Sequence, residues 1–239
     1  MDFIDSVILA NKEVYEYLLS ASDDRIYSEV KKGAGGDISK VVDIESEKIF
    51  IKHLSRYGKI VSEECGVYGE GNDEIIIDPI DGSENIASKL PYFGSSVARK
   101  VDGKIKDAVI VNFANKDIFI KSGKEFKRGK LYNSKFSEVI INNYATIGIY
   151  ERAYASKEFV CKLNKEGIKY RSPGALALSL AYAHSVNFVV FEGVAREYDV
   201  SAGIFMCEDL FVFQKRDFLV VSKDEKLYNK LVKMIEGVK

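Results

Sequence analysis

The sequence lacks several residue types that define common protein classes. It has no tryptophan, three cysteines and two histidines among 239 residues. Cys65, Cys161 and Cys207 are odd in number and widely spaced, so they predict neither a disulfide framework nor a cysteine-based metal site. The longest apolar stretch, residues 176–191, is interrupted by His184 and is too short for a membrane span. We therefore expect neither a disulfide-stabilised domain nor a membrane protein.

An excess of charge of one sign is also missing. Lysine and arginine number 35 against 36 acidic residues, and the net charge is −1. A nucleic-acid-binding protein would more often show a basic excess. The first residues carry no basic region ahead of their apolar side chains, which argues against a signal peptide. These features favour a cytoplasmic enzyme or binding protein with neither a nucleic-acid nor a membrane partner.

The most informative stretch is residues 75–83. Three isoleucines, 75–77, lead directly into Asp78, and the apolar run predicts a buried strand. Pro79 cannot donate a hydrogen bond to a strand ladder, so we expect the chain to leave the sheet at Asp78. Strand ends of this kind are where α/β enzymes place their chemistry.

A second carboxylate follows the first at close range. Asp81 lies three residues after Asp78, and two carboxylates held together repel each other unless a cation sits between them. Gly82 and Ser83 come next and offer backbone N–H groups at the start of a predicted helix, which is a favourable place for an anion. A cation beside an anion predicts metal-assisted phosphate chemistry.

Two other acidic positions are candidates for the same site. Glu63 and Glu64 end the short apolar stretch 60–62, which predicts a strand directly before the Asp78 strand. Adjacent acids usually mark a solvated strand end, but two neighbouring strands that both end in carboxylates can build one site. Asp199 precedes small residues that open a helix; it is either an ordinary N-cap or a carboxylate aimed at a cation.

The rest of the pattern predicts an α+β half, residues 1–133, followed by an α/β half, residues 134–239. Predicted helices cover 2–20, a segment opening at 43, 156–166, 174–184, 200–207 and 224–236; predicted strands cover 26–30, 60–62, 75–77, 95–101, 104–113, 117–121, 139–142, 168–170, 187–191, 210–213 and 218–221. Residues 124–130 are predicted to be a surface connection. The glycine-rich stretch 31–36 is either an exposed hairpin tip or a mobile loop that brings lysines and Asp37 over a site.

Taken together, the motif at 78–83, the upstream Glu63–Glu64 pair and the downstream stretch 199–203 resemble the inositol monophosphatase and fructose-1,6-bisphosphatase superfamily. The resemblance covers residues 31 to about 208. It implies a five-layered α-β-α-β-α sandwich, the sugar-phosphatase fold, in an α+β and α/β chain. It also implies a homodimer and a compact enzyme without large regulatory insertions.

The resemblance assigns metal ligands to matching positions. Glu63, Asp78 and the backbone carbonyl of Ile80 would hold a first Mg²⁺, and Asp78 would bridge to a second ion shared with Asp81 and Asp199. A third, weaker ion would lie near Glu63, with Asp43 close by. Oxygen ligands suit Mg²⁺, with Mn²⁺ as an alternative, far better than they suit soft metals.

The resemblance also assigns catalytic and substrate-binding roles. Ser83 would orient the attacking water, with Glu63 or Asp43 accepting its proton. Phosphate would bind through Gly82 and Ser83. The residues implied in substrate contacts are Asp81, Gly82, Ser83, Gly174, Ala175 and Glu192, with Arg171 and Arg196 as candidates for a second phosphate. Tyr198 replaces the tryptophan common before the metal aspartate, which puts substrate preference in doubt more than catalysis.

The function predicted is that of a phosphoric monoester hydrolase. We expect a Mg²⁺-dependent phosphomonoesterase that hydrolyses inositol 1-phosphate, fructose 1,6-bisphosphate or both, by attack of metal-activated water and without a covalent intermediate. The alternative enzyme is a phosphatase for 3′-phosphoadenosine 5′-phosphate or NADP. The alternative outside enzymes is a catalytically silent module that binds metal or phosphate.

Overall fold

The architecture follows from a computed structural model that describes residues 1–21, 24–36, 38–215 and 217–237. The helices are α1 Phe3–Ser20, α2 Val41–Leu54, α3 Ser83–Ala87, α4 Lys157–Lys165, α5 Leu176–Ala181, α6 Glu197–Met206 and α7 Glu225–Glu236. The first strands are β1 Glu29–Lys32, β2 Ile38–Lys40, β3 Lys59–Ser62, β4 Gly66–Tyr68, β5 Glu74–Asp81, β6 Gly94–Val101, β7 Lys104–Asn112 and β8 Asp117–Ser122. The others are β9 Glu125–Lys130, β10 Ser137–Glu138, β11 Gly148–Glu151, β12 Tyr170–Arg171, β13 Phe188–Glu192, β14 Phe211–Lys215 and β15 Phe218–Ser222.

Two main sheets organise the chain. The larger has eight strands in the order β10-β9-β8-β7-β6-β5-β3-β4, and the smaller has five in the order β12-β11-β13-β15-β14. In the larger sheet β3 and β5 are parallel, so their carboxyl ends lie at the same edge. In the smaller sheet β11 is parallel to both β12 and β13. Each sheet therefore gathers several strand ends on one side, where side chains from separate segments meet.

Helices cover both faces of both sheets. Helices α1 and α2 pack on one face of the larger sheet, where Ile75 and Ile77 of β5 are buried. Helices α5 and α6 form a middle layer, packing on Ile76 and its neighbours on one side and on the smaller sheet on the other. Helices α4 and α7 cover the outer face of the smaller sheet. The predicted five-layered α-β-α-β-α sandwich is confirmed.

Strand β5 departs from the prediction at the motif itself. The chain does not leave the sheet at Asp78, because β5 runs on to Asp81 and pairs again with β6 there. The register shifts between Asp78 and Asp81, and Pro79 lies inside this irregularity, where its missing N–H costs no ladder bond. The bulge lets both aspartates project from the end of one strand.

Two other predictions were wrong. Residues 124–130 are not a simple connection, because 125–130 form β9 between β8 and β10. Residues 139–142 are not a strand: the apolar side chains of Ile140 and Ile141 are 78% and 41% exposed, and no ladder pairs them. A hairpin turn at Asp102-Gly103 joins β6 and β7, with positive φ at both residues.

The glycine-rich stretch joins β1 and β2, which pair as an antiparallel hairpin. Its tip rests on the segment that follows β3: the N–H of Gly35 donates to the carbonyl of Glu63 at 2.8 Å, and that of Ala34 donates to the carbonyl of Glu64 at 3.2 Å. Asp37 lies outside the described residues. The division at residue 133 stays a prediction. Among the described helices, none has the length and apolarity to cross a membrane.

Candidate active site

A cavity of about 970 Å³ opens where the two sheets and the hairpin meet. Its walls come from separate parts of the sequence. The contributors include Ser39, Lys40 and Asp43, the Glu63–Glu64 pair, Asp78, residues 80–85, 151–154 and 172–176, Arg196 and Asp199. Most of the residues implied by the resemblance therefore share one cavity, although they are spread across the chain.

Three carboxylates come close enough to hold one cation. Glu63 follows β3, Asp78 lies on β5 and Asp199 stands in the first turn of α6. One oxygen from each lies within 4.8 Å of the others. Asp78 is buried, with 3% exposure. Burial and the negative charges of Glu63 and Asp81 raise the pKa of Asp78 well above its usual value. A divalent cation would offset this repulsion, so the donor set fits the implied metal.

A fourth carboxylate is only half satisfied. Asp43 is the third residue of α2, and its Oδ2 accepts a hydrogen bond from the backbone N–H of Lys40 at 2.8 Å. Its Oδ1 is buried and has no hydrogen-bond partner. Burial raises the pKa of Asp43, while the bond from Lys40 opposes that rise. Buried oxygens without partners are rare, and one on a cavity wall favours a cation or a water as the missing partner.

Arg196 contacts two of the clustered carboxylates. Its guanidinium lies 2.9 Å from Glu63 Oε1 and 3.0 Å from Asp199 Oδ2. It also donates to the carbonyl of Gly35 at 3.3 Å and lies 5.0 Å from the ring centroid of Tyr198. Arg196 therefore joins α6, the β3 end and the hairpin tip.

Asp81 faces the middle helical layer. Its Oδ2 accepts a hydrogen bond from the backbone N–H of Leu178, in the first turn of α5, at 2.9 Å. Burial raises the pKa of Asp81 well above its usual value even though this bond opposes the rise, and the charge of Asp199 adds to it. Asp81 lines the cavity, but it is not among the three carboxylates of the close cluster. Its role as a metal ligand stays a prediction.

The phosphate-binding turn is held in a defined shape. Gly82 has φ +89°, a left-handed conformation that suits glycine, and a Cβ there would lie 3.0 Å from the carbonyl oxygen of Tyr92. Asn85 donates from Nδ2 to the carbonyls of Tyr92 and Pro173, both at 2.7 Å. Nζ of Lys40 lies 3.5 Å from Ser83 Oγ. This places a cationic group beside the turn predicted to hold an anion.

One buried carboxylate escaped the sequence reasoning. Glu151 ends β11 and is 2% exposed. It accepts hydrogen bonds from the N–H groups of Gly174 and Ala175 at 2.8 and 3.3 Å, and from Ser179 Oγ at 2.5 Å. It thereby fixes the loop predicted to approach the substrate. No local motif surrounds Glu151; its position at the carboxyl end of a strand was the available signal.

Two predicted substrate contacts lie elsewhere. Neither Glu192 nor Arg171 is among the described residues that line the cavity. Glu192 accepts a hydrogen bond from the buried hydroxyl of Tyr150, and Arg171 donates to the carbonyl of Tyr170 at 2.8 Å. Burial, followed by the bond to Glu192, raises the pKa of Tyr150 well above its usual value. Their substrate roles stay predictions without support from this geometry.

Comparison with known proteins decides the family. The model of the inositol monophosphatase family matches residues 3–210 of this chain. The chain belongs to the inositol monophosphatase family. The resemblance found in the motifs is thus confirmed, and so, at the level of the family, is the expectation of a phosphatase.

Individual relatives of this family agree over nearly the whole chain. A fructose-1,6-bisphosphatase/inositol-1-monophosphatase from Methanothermobacter thermautotrophicus is 25% identical over 247 aligned positions, which cover 87% of each chain. A solved inositol monophosphatase–fructose 1,6-bisphosphatase superposes with a TM-score of 0.82, covering 98% of this chain and 100% of that one, at 19% identity. That likeness supports the fold.

A further family relative carries another activity in its name. The bifunctional NADP phosphatase/NAD kinase of Methanocaldococcus jannaschii is 34% identical over 149 residues, which make up 59% of this chain and 25% of that protein. The family therefore includes relatives named for different phosphate esters, and family membership leaves the substrate open.

Proposed function

We propose that this chain is a Mg²⁺-dependent phosphomonoesterase that hydrolyses inositol 1-phosphate, fructose 1,6-bisphosphate or both. The observation that carries the proposal is the close cluster of Glu63, Asp78 and Asp199 in the same cavity as the turn at Gly82 and Ser83. A cation site beside an anion site is the arrangement that phosphate ester hydrolysis requires. The relative from Methanothermobacter thermautotrophicus, which bears both activities in its name, supports the substrates.

The carboxylates fit Mg²⁺ by their chemistry. All are oxygen donors, and the described cavity walls bring neither cysteine nor histidine to the cluster. Glu63, Asp78, Asp81, Asp199 and the carbonyl of Ile80 would hold two ions. Asp43, with its unpartnered oxygen, would face a third. When bound, these ions would lower the pKa of water and neutralise charge on the leaving oxygen.

The remaining chemistry belongs to the chain. The N–H groups of Gly82 and Ser83 bind and orient the phosphate, at the start of α3. The hydroxyl of Ser83 orients the attacking water, and the carboxylate of Asp43 or Glu63 accepts its proton.

Release of inorganic phosphate from a panel of esters tests the proposal. Inositol 1-phosphate and fructose 1,6-bisphosphate should lead with Mg²⁺ present, ahead of 3′-phosphoadenosine 5′-phosphate and NADP. Asp81→Asn should remove most of the activity at saturating Mg²⁺. Activity that survives Asp81→Asn would refute the two-ion arrangement. If the wild-type protein hydrolyses none of the four esters, the phosphatase proposal fails and the remaining hypothesis is a silent module that binds metal or phosphate.

A second enzyme function has an observation in its favour. Tyr154 lines the cavity with 82% of its surface exposed, close in sequence to Arg152. An exposed aromatic ring on the wall of a phosphate site offers a stacking surface for an adenine base. Together with the NADP phosphatase relative, it keeps a nucleotide phosphatase as the alternative. NADP leading the panel, with a loss of that preference in Tyr154→Ala, would establish it.

We also propose a homodimer, which the family resemblance supports. The exposed apolar side chains of Ile140 and Tyr144, 78% and 93% exposed, belong to a segment that a second copy would cover. Light scattering coupled to gel filtration at micromolar concentration tests this. A mass of about 54 kDa, twice the 26.8 kDa of the chain, is expected.

A further inference from the structure

We propose that Arg152 binds a second anionic group of the substrate, so that the site prefers sugar bisphosphates over monophosphates. This inference rests on the proposed phosphatase function. It also gives the contact with a second phosphate to a different residue, because Arg171 and Arg196, the two candidates from the sequence, have other positions in the structure. Arg171 lies outside the cavity lining, and Arg196 is bound to Glu63 and Asp199.

Arg152 is connected to the phosphate-binding turn at Gly82 through Glu151 and Ala175. It directly follows Glu151, whose carboxylate holds the N–H groups of Gly174 and Ala175. Ala175 in turn packs toward Gly82, since a Cβ built on Gly82 would lie 3.2 Å from that of Ala175. Arg152 is therefore on the wall adjoining the phosphate turn, and it lines the same cavity.

Arg152 is the cationic side chain of the described cavity wall that has no internal partner. Lys40 reaches Ser83, and Arg196 is paired with carboxylates. Arg152 is exposed, and within the described parts of the chain it forms neither an ion pair nor a side-chain hydrogen bond. Its five N–H donors face solvent or a ligand. A guanidinium left free on the wall of an otherwise acidic cavity is suited to an anion supplied by the substrate.

The surroundings hold this guanidinium in place without neutralising it. Its carbon lies 5.9 Å from the ring centroid of Phe191, which also lines the cavity. Gly193 leaves the space that the guanidinium occupies, because a Cβ there would lie 2.6 Å from Nη1. The backbone of Arg152 is left-handed, with φ 57° and ψ 35°, which is uncommon for a residue other than glycine. The ring of Phe191 and the space left by Gly193 orient the guanidinium of Arg152 toward the cavity. Neither contact uses the N–H donors of the guanidinium.

The chemistry predicts a selective effect. A planar guanidinium forms two parallel hydrogen bonds with a phosphate, which an inositol hydroxyl cannot reproduce. Losing such a charge-assisted contact should lower kcat/KM for fructose 1,6-bisphosphate by about 10- to 100-fold. For inositol 1-phosphate, whose single phosphate occupies the turn at Gly82 and Ser83, the change should stay within about 2-fold.

The experiment measures both substrates in five proteins: wild type, Arg152→Gln, Arg152→Lys, Arg171→Gln and Lys169→Gln. Lys169 is exposed and outside the cavity lining, so its variant controls for the loss of one positive charge. The expected result is a selective loss with fructose 1,6-bisphosphate in Arg152→Gln, carried mainly by KM, and partial rescue in Arg152→Lys. An equal loss on both substrates, or a selective loss in Arg171→Gln instead, would overturn the proposal.

A binding measurement separates this inference from the proposed function. Calorimetric titration with fructose 1,6-bisphosphate, in the presence of Mg²⁺ and short of turnover, compares wild type with Arg152→Gln. If no ester is hydrolysed but the affinity falls in the variant, the phosphatase function fails and the anion contact stands. If both proteins bind the bisphosphate equally, or neither binds it, the contact at Arg152 is refuted whatever the activity.

Discussion

The replacement of Asp78 by asparagine should have opposite effects on stability with and without Mg²⁺. Asp78 is 3% exposed and lies within 4.8 Å of oxygens from Glu63 and Asp199. Asparagine has almost the same shape but no charge. In the absence of divalent ions the variant should therefore be more stable than wild type, because a buried like-charge contact has been removed.

The expected size follows from the geometry. Two unit charges 4.8 Å apart repel each other by about 3.5 kcal/mol at an effective dielectric constant near 20. Asp78 has two such neighbours, but its protonation limits the cost and Arg196 offsets part of it. We expect a net gain of about 1–3 kcal/mol in the free energy of unfolding. For a chain of this length that corresponds to a rise in Tm of about 2–12 °C.

Saturating Mg²⁺ should reverse the order. A ligand present at 100 times its Kd stabilises the folded state by about 2.7 kcal/mol, and the asparagine variant should lose most of this gain. Thermal unfolding in EDTA and in Mg²⁺ measures both effects. The control is Asp102→Asn, an identical change at an exposed turn with φ 49°, where asparagine is well tolerated. An Asp78→Asn protein that is less stable than wild type in EDTA, or that gains as much from Mg²⁺, would refute the reasoning.

Three further predictions concern the turn at Gly82, the loop at residues 174–175 and a buried carboxylate of the larger sheet. Gly82→Ala should lower Tm more than Gly103→Ala. Both glycines have positive φ, but a Cβ at Gly82 would lie 3.0 Å from the carbonyl oxygen of Tyr92, whereas a Cβ at Gly103 would meet nothing within 4 Å. Equal losses of Tm would show that backbone strain alone matters. Glu151→Gln should raise KM while leaving the Mg²⁺ dependence unchanged, because it loosens the loop at residues 174–175 and touches no clustered carboxylate; a shifted Mg²⁺ dependence contradicts this. Asp117→Asn should lower stability to urea at pH 7. The difference from wild type should begin to shrink as the pH falls below about 4 and disappear once Asp117 is protonated in the folded protein; a difference that stays constant in acid argues against a charge effect.

The sign of the Asp117 prediction comes from its surroundings. Burial alone would raise the pKa of Asp117, but hydrogen bonds from Lys130, Tyr182 and Arg128 together outweigh it and lower the pKa below its usual value. A carboxylate whose pKa is depressed by folding stabilises the protein above its unfolded pKa. That contribution is lost as the pH falls through the lower, folded pKa.

The sequence reached furthest where chemistry and local pattern coincide. The resemblance to the family predicts one site for Glu63, Asp78 and Asp199, and the structure brings these three carboxylates together. The family motif linked them across the chain. Spatial convergence of parallel strand ends then follows from the topology of the sheet.

The wrong predictions for residues 124–130 and 139–142 have one physical cause. Whether a segment forms a strand depends on its neighbours in space, which the local sequence pattern does not contain. Strand β9 is charged, yet it pairs with β8 on one side and β10 on the other, and its Arg128 finds Asp117 on β8 at 2.7 Å. Ile140 and Ile141 resemble a strand but meet no partner edge and remain exposed. β-propensity is a property of a single residue, whereas a β-strand forms only where a neighbouring strand pairs with it.

The substrate side was the least predictable part of the site. Glu151 and Arg152 carry no motif, and their importance appears only when β11 is seen to end beside the loop at Gly174. The resemblance predicts a substrate contact for Arg196, but in the structure its guanidinium lies 2.9 Å from Glu63. The sequence could not predict this ion pair, because the two residues are far apart along the chain. Long-range contacts of this kind depend on the complete fold.

The middle helical layer has a consequence for how the site comes into being. Helix α5 binds Asp81 through Leu178, and α6 carries Asp199, so the last groups needed by the site are also the ones that seal the inner faces of both sheets. During synthesis the nascent chain therefore cannot assemble the carboxylate cluster until residue 199 of 239 has left the ribosome. Assembly of the complete cluster is thus coupled to completion of the fold, because a chain that ends before α6 lacks Asp199, one of the three carboxylates.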